Sequence, residues 1–272
     1  LQLNKEFPMN DFQTIQLETN PRGFATLWLN RPEKNNAFNA QMIRELTAAI
    51  KTLGEDDSLR FLLLRGRGKH FSAGADLAWM QESAHLNYHA NLEDSQRLGE
   101  LMYSLQQLRV PTLAVVQGAA YGGAVGLIAC CDMAIGAESA RVCLSEVRVG
   151  LMPAVISPFV VHAIGRRATR RYALSAEAFD GERARVLGLF AECYAEDTLD
   201  AAVEQWIEQW LLNSPQAMAA CKELLNEVGH GALSPALRRH TESAIARIRI
   251  SEEGQEGLKA FLEKRKPNWQ SQ

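Results

Sequence analysis

Three short runs of unbroken apolar residues constrain this chain more than any other feature. They are Phe61-Leu62-Leu63-Leu64 followed by Arg65-Gly66, Leu113-Ala114-Val115-Val116 after Pro111-Thr112, and Met133-Ala134-Ile135-Gly136. Each is too short for a helix and apolar throughout, as a strand covered on both faces must be. Between them the pattern changes to helical spacing. Asn39 stands as an N-cap before Met42, Ile43, Leu46, Ile50 and Leu53, and a polar helical segment occupies roughly 86–108. Buried strands alternating with helices predict βαβ units and a parallel-rich sheet. Ahead of them, Gln13–Glu18 and Phe24–Leu29 flank the turn signature Asn20-Pro21-Arg22-Gly23, which predicts a hairpin. From about Pro158 the pattern is almost wholly helical, with Trp206, Trp210, Leu211 and Leu212 as packing residues. The expected organisation is an α/β core over 9–195 and a helical C-terminal region over 196–272.

Composition narrows the function classes. With 47% hydrophobic and 22% charged residues among 272, the chain reads as an ordinary globular protein. Its 29 basic residues against 32 acidic ones leave a net charge of −3, so no global positive field favours nucleic acid. Cys130, Cys131, Cys143, Cys193 and Cys221 lack metal-ligand spacing and read as reduced, packed thiols, with no metal expected. No run of about 18 apolar residues spans a membrane. The opening LQLNKEFP has no signal-peptide layout. It reads as an appended leader before a natural start at Met9, which predicts a cytoplasmic protein.

Two glycine-bearing corners carry the functional reading. His70-Phe71-Ser72-Ala73-Gly74-Ala75-Asp76-Leu77 follows the first apolar strand. Gly118-Ala119-Ala120-Tyr121-Gly122-Gly123-Ala124-Val125-Gly126 follows the second and opens a helix. Small residues there let a ligand approach the backbone, and a helix N-terminus offers unpaired N–H groups to developing negative charge. Glycines that merely turn the chain are the competing reading.

The order of residues around both corners resembles the crotonase (enoyl-CoA hydratase/isomerase) superfamily, whose motifs take the forms FSAGADL and GxAxGGGxEL. Ala124 stands where the third glycine of the second motif is expected. Asn30-Arg31-Pro32 and Glu256–Arg265 match as well, so the likeness runs from about Phe12 to Trp269. It implies a ββα spiral core and an acyl-CoA substrate, with no cofactor beyond the coenzyme A of that substrate. It also implies a homotrimer or homohexamer.

By the same resemblance, the backbone N–H groups of Ala75 and Gly123 form an oxyanion hole, with Ala37, Ala73, Gly74, Asp76, Leu77 and Gly122 around the thioester. Asp76 is otherwise a cap for the next helix. Typical hydratases of this family carry two glutamates twenty residues apart. Glu146 matches the second; the first position is Gly126. The alternative for Glu146 is an exposed or salt-bridged carboxylate.

The segment Ser145–Pro158, with Pro153 and Ala154 beside the acyl group, resembles the methylglutaconyl-CoA and carboxygeranoyl-CoA hydratases of leucine and terpene breakdown. Their substrates bring a second carboxylate. On that reading Gly126 leaves room for it and Arg148 pairs with it, against an ordinary salt bridge for Arg148. Lys34, Phe261 and Lys264 match CoA contacts; Phe261 reads equally as a core anchor and Lys264 as a solvated charge. His70 reads as a backbone-bonded turn residue rather than a base. The leading function is hydration of an enoyl-CoA. The competing readings are a double-bond isomerase using Glu146 alone and a catalytically silent CoA- or RNA-binding protein.

Overall fold

The computed structural model describes residues 12–229 and 233–270. Met9 and the residues before it lie outside the described residues. The chain opens with the expected hairpin: β1 (Ile15–Asn20) and β2 (Phe24–Leu29) pair antiparallel, and Gly23 closes the turn at φ +89°. Asn39 caps α1 (Ala40–Glu55), its side chain accepting from the Met42 N–H at 2.9 Å, and Met42, Ile43, Leu46, Ile50 and Leu53 are buried along one face. There follow β3 (Phe61–Gly66), α2 (Leu77–Ser83), α3 (Tyr88–Gln106), β4 (Thr112–Val116), β5 (Ala119–Tyr121), α4 (Gly123–Cys130), β6 (Met133–Ala137) and β7 (Arg141–Cys143). The rest is α5 (Ser157–Ser175), β8 (Phe179–Asp180), α6 (Gly181–Leu187), β9 (Glu192–Tyr194), α7 (Leu199–Leu211), α8 (Pro215–Val228), α9 (Pro235–Arg249) and α10 (Glu252–Leu262).

The main sheet has the order β1-β2-β3-β4-β6-β9, and every pair after the hairpin is parallel. A second, smaller sheet joins β5, β7 and β8. Isolated bridges extend this second layer, pairing Ser72 with Ala120 and Phe38 with Ala75. The chain therefore repeats one move. A strand crosses the main sheet, a shorter extended piece crosses the second layer, and a helix returns: β2, Phe38, α1; β3, Ser72–Ala75, α2 and α3; β4, β5, α4. Successive ββα turns stack into a spiral. The sequence patterning anticipates the main sheet as far as β6; it misses β9, which lies in the stretch read as helical, and the second layer, whose pieces are two or three residues long.

The inner strands are buried over most of their length, and Phe61 stacks on Phe24 with ring centroids 5.1 Å apart while Trp210 meets it edge-on at 5.3 Å. Thus α7 contributes directly to the core, with Leu199, Val203 and Ile207 beside Trp210. Leu212 departs from its expected packing role: it is 53% exposed, and its carbonyl accepts from Trp269 Nε1. Arg60 is buried and ties the C-terminal part to the core, donating to the carbonyls of Leu211, Asn213 and Trp269. Lys222 on α8 does the same through Asp132 at 2.8 Å and the Val110 carbonyl. No helix among the described residues is long and apolar enough to cross a membrane.

Candidate active site

The second layer brings the two glycine corners together. Ser72 N–H donates to the Ala119 carbonyl and Tyr121 N–H to the Ser72 carbonyl, both at 3.0 Å. Three residues beyond this bridge each segment leaves the layer, one at Ala75 and the other at Gly123. Gly74 takes φ +92°, and a Cβ there would stand 2.9 Å from the Tyr121 carbonyl oxygen, so the close approach of the two segments requires glycine.

Each corner ends in an unused donor. Phe38 N–H donates to the Gly74 carbonyl and Asp76 N–H to the Phe38 carbonyl, which turns the intervening Ala75 N–H away from that partner. Gly123 is the first residue of α4, where an N–H has no intrahelical acceptor. Among the described residues neither N–H meets a protein acceptor. The helix behind Gly123 is apolar and buried, so its dipole acts with little solvent screening.

Glu146 completes the corner. It opens a 3-10 turn, Glu146–Val149, that Gly150 closes at φ +76°. Its Oε1 lies 3.4 Å from the point a Cβ on Gly122 would occupy. Its Oε2 is buried without a hydrogen-bond partner. Burial pushes the carboxyl above the usual glutamate range, and the bond to its own backbone N–H offsets this only in part. It is neither exposed nor salt-bridged. A corner with two unsatisfied donors and one unsatisfied acceptor is built to receive a molecule that carries an oxygen to the N–H pair and a proton to the carboxylate.

The other anticipated residues take varied places. Asp76 caps α2 through the Ala78 N–H at 2.9 Å and pairs with Arg31 at 3.0 Å. Burial raises its pKa, but the Ala78 bond and Arg31 outweigh that and hold it below the usual range. Leu77 beside it is 77% exposed. His70 is a backbone-bonded turn residue: its Nδ1 accepts from the Ala119 N–H at 3.0 Å. Ala73 N–H donates to Asn35 O, and Ala37 N–H to the carbonyl of exposed Lys34. Pro153 and Ala154 lie in the turns leading to α5.

Two expectations need correction. Gly126 leaves no room: a Cβ there would stand 2.3 Å from Ile156 Cγ2 and 3.1 Å from Met102 Cε, because those side chains already fill the space. Arg148 is engaged by the protein itself, its Nη2 donating at 2.6 Å to the carbonyl of Ala176, the left-handed residue that ends α5. That bond is neither a salt bridge nor a free fork. Phe261, at 82% exposed near the end of α10, is no core anchor; Lys264 is exposed in the turn that follows this helix, which packs against α8 and α9.

Sequence reasoning missed Asn36, Met102 and Ile156. Asn36 is fully buried at φ +54° and clamps its loop to the first corner, donating to the carbonyls of Arg67 and His70 at 2.8 Å. The doublet Asn35-Asn36 carried a signal, since asparagine tolerates the left-handed region. The two apolar residues carried none. A cleft of about 1820 Å³ lies elsewhere, between the β1–β2 turn, α8, α10 and Trp269, and its buried cations Arg60 and Lys222 are already paired. Among the described residues no group of His, Cys, Asp or Glu is placed to hold a metal ion.

Known proteins resemble this chain in sequence and fold. The enoyl-CoA hydratase/isomerase family profile matches residues 19–272. The crystal structure of an enoyl-CoA hydratase from Shewanella pealeana superposes with a TM-score of 0.91 at 46% identity, covering 95% of this chain and 97% of that one. The 2,3-dehydroadipyl-CoA hydratase of Escherichia coli is 30% identical over 245 residues, 89% of this chain and 93% of its own length. The trans-2-decenoyl-[acyl-carrier-protein] isomerase of Streptococcus mutans is 28% identical over 266 residues, 95% of this chain and 98% of its own. With the profile spanning nearly the whole chain and the crotonase fold reproduced, this protein belongs to the enoyl-CoA hydratase/isomerase family.

Proposed function

We propose that this enzyme adds water across the 2,3 double bond of an enoyl-CoA thioester. The carrying observation is the buried, partnerless Oε2 of Glu146 at a corner with two free backbone donors. The thioester oxygen accepts from the Ala75 and Gly123 N–H groups. Glu146 takes a proton from water as its oxygen bonds to C3, and the displaced π electrons move onto the thioester oxygen as an enolate. The N–H pair holds that charge, and such a donor is worth roughly 2.7–4 kcal/mol. Glu146 then returns the proton to C2, so one carboxylate serves both transfers. The reaction calls for no cofactor beyond the coenzyme A of the substrate.

A second reading is supported by the same single carboxylate. Removing a proton from C2 of a 3-enoyl thioester and returning it at C4 moves the double bond with no water at all. On substrate, a carboxylated branched acyl group such as 3-methylglutaconyl stands as the finer proposal, and the dehydroadipyl-CoA named for the Escherichia coli relative is also carboxylated. Its anchor is neither a space at Gly126 nor Arg148, so the substrate carboxylate is held by another group or by solvent. Lys34, Phe261 and Lys264 serve coenzyme A in a homo-oligomer, where α10 of one subunit closes over the nucleotide of another. Progress curves with 3-methylglutaconyl-CoA, crotonyl-CoA and 3-hexenoyl-CoA test these statements. Hydrated product from either 2-enoyl thioester supports the lyase, conversion of 3-hexenoyl-CoA alone supports the isomerase, and no turnover on any of them refutes both.

A further inference from the structure

The segment from Glu146 to Ile156 runs beside the first turn of α4. Glu146 meets it at Gly122, and Ile156 meets it at Gly126. Four residues of helix advance about 6 Å, so the isoleucine sits one turn deeper than the carboxylate on the same helix. Its fit is tight: the Cβ and Cγ2 of Ile156 occupy the volume a side chain at position 126 would need, and Met102 from α3 closes the space from the other side. Both are buried, and Val155 packs toward Gly99 of α3. The glycine is therefore what admits the isoleucine.

We infer that Ile156 is a specificity-determining residue that shuts this flank of Glu146 to a second acid and a second water, leaving one carboxylate to carry every proton. The inference rests on the proposed acid–base role of Glu146. The unsatisfied Oε2 agrees with it: one turn along α4 from Gly122, where Glu146 Oε1 comes close, the helix carries glycine covered by Ile156 and Met102, which supply no donor. Two titratable groups near Glu146 are held elsewhere: Cys143 on β7 and Arg148 on the 3-10 turn both bond the Ala176 carbonyl. Burial displaces the Glu146 carboxyl upward, as a dry flank requires. Functionally, a wall that admits only the one water Glu146 activates narrows hydration relative to a double-bond shift, because only hydration consumes water. Ile156 thus sets the partition between the two reactions open to a single carboxylate.

The test compares the parent with Ile156→Val, Ile156→Ala and the pair Gly126→Glu/Ile156→Ala. Two readouts are taken: the ratio of hydrated to shifted product from 3-hexenoyl-CoA, and the ionisation midpoint of Glu146 from carboxylate-carbon NMR of the protein alone. In Ile156→Ala the ratio should rise at least about threefold and the midpoint should fall, whereas Ile156→Val should stay close to the parent. The pair should raise crotonyl-CoA hydration above that of Ile156→Ala. Should Ile156→Ala fold poorly, Ile156→Thr, which brings a donor in the shape of valine, reads the same two quantities. A ratio within twofold of the parent together with an unmoved midpoint, in a folded variant, overturns the inference. No turnover by the parent on any thioester would sink the proposed reaction instead, and the midpoints would still show whether Ile156 keeps the carboxylate dry.

Discussion

Changing Glu146 to Gln preserves the outline of the side chain and removes its ability to take a proton. A positioned general acid–base contributes about 10²–10⁴-fold, so turnover should fall by at least about 10²-fold, or about 2.7 kcal/mol of transition-state stabilisation. Stability gives a second, independent signature. Because burial displaces the folded-state carboxyl upward, its protonated form fits the fold and its ionised form does not. That favourable term is complete below the ordinary glutamate range and is lost as pH rises through the displaced folded value. Each tenfold displacement of the ionisation constant corresponds to about 1.4 kcal/mol. Glutamine does not titrate, and its unpaired buried amide costs about 1–3 kcal/mol at every pH. The variant should therefore gain on the parent between pH 4 and pH 8, whatever its offset at pH 4. For a chain of this size each kcal/mol moves Tm by about 2–4 °C. Urea melts at pH 4, 5.5 and 7.5 measure the drift, and steady-state rates measure turnover. A stability difference that stays flat with pH would show that Glu146 is solvated; turnover within a few-fold of the parent would remove it from the chemistry.

Three further perturbations probe what holds the corner. Gly74→Ala forces a side chain to φ +92° and toward the Tyr121 carbonyl, and should cost about 1–3 kcal/mol by urea melt together with acyl-CoA affinity; a variant of parental stability and affinity would mean the two segments are not locked. Lys222→Met strips Asp132 and the Val110 carbonyl of their cation and should lower stability by about 3 kcal/mol, and a change below about 0.5 kcal/mol would show that α8 does not depend on that tie. Asp76→Asn can keep the Ala78 cap and loses the charge pair with Arg31. Since the folded Asp76 carboxyl is held low, its contribution is present above the ordinary aspartate range and vanishes as pH falls through the depressed value. Its loss of about 1 kcal/mol should then be seen at pH 7 and disappear in acid, and a loss that persists in acid would point to the cap rather than the charge.

Local chemistry was legible in the sequence wherever a residue acts on its near neighbours along the chain. Asn39 announces its cap, Asn20–Gly23 its hairpin, and the apolar runs their buried strands, because each depends on neighbours a few positions away. The second layer was not legible. A bridge such as Ser72 to Ala120 spans most of a ββα turn and leaves no period in either segment. The same holds for the surroundings of Gly126: a glycine announces a missing side chain, and only the fold reveals that Ile156, thirty positions on, has taken the space. Arg148 likewise reads as the partner of a carboxylate, in the substrate or in a salt bridge, until α5 ends beside it and presents the Ala176 carbonyl.

The corner's two kinds of component have separate origins. The N–H donors of Ala75 and Gly123 arise from the architecture, because two segments bridged at Ser72 and Ala120 must leave the layer side by side with their next donors unspent. No side chain is needed to make them, and among substitutions only proline, which lacks the N–H, deletes one. The carboxylate and the alkyl wall beside it come from one separate stretch, Glu146 to Ile156, laid along α4 by the turn at Gly150. A fold divided in this way can change which proton moves, and whether water takes part, by altering that stretch while the grip on the thioester oxygen is kept. Substitutions at Ile156 should accordingly redistribute products with little change in the affinity for a non-reactive acyl-CoA, whereas Gly74→Ala should weaken that affinity for every thioester alike.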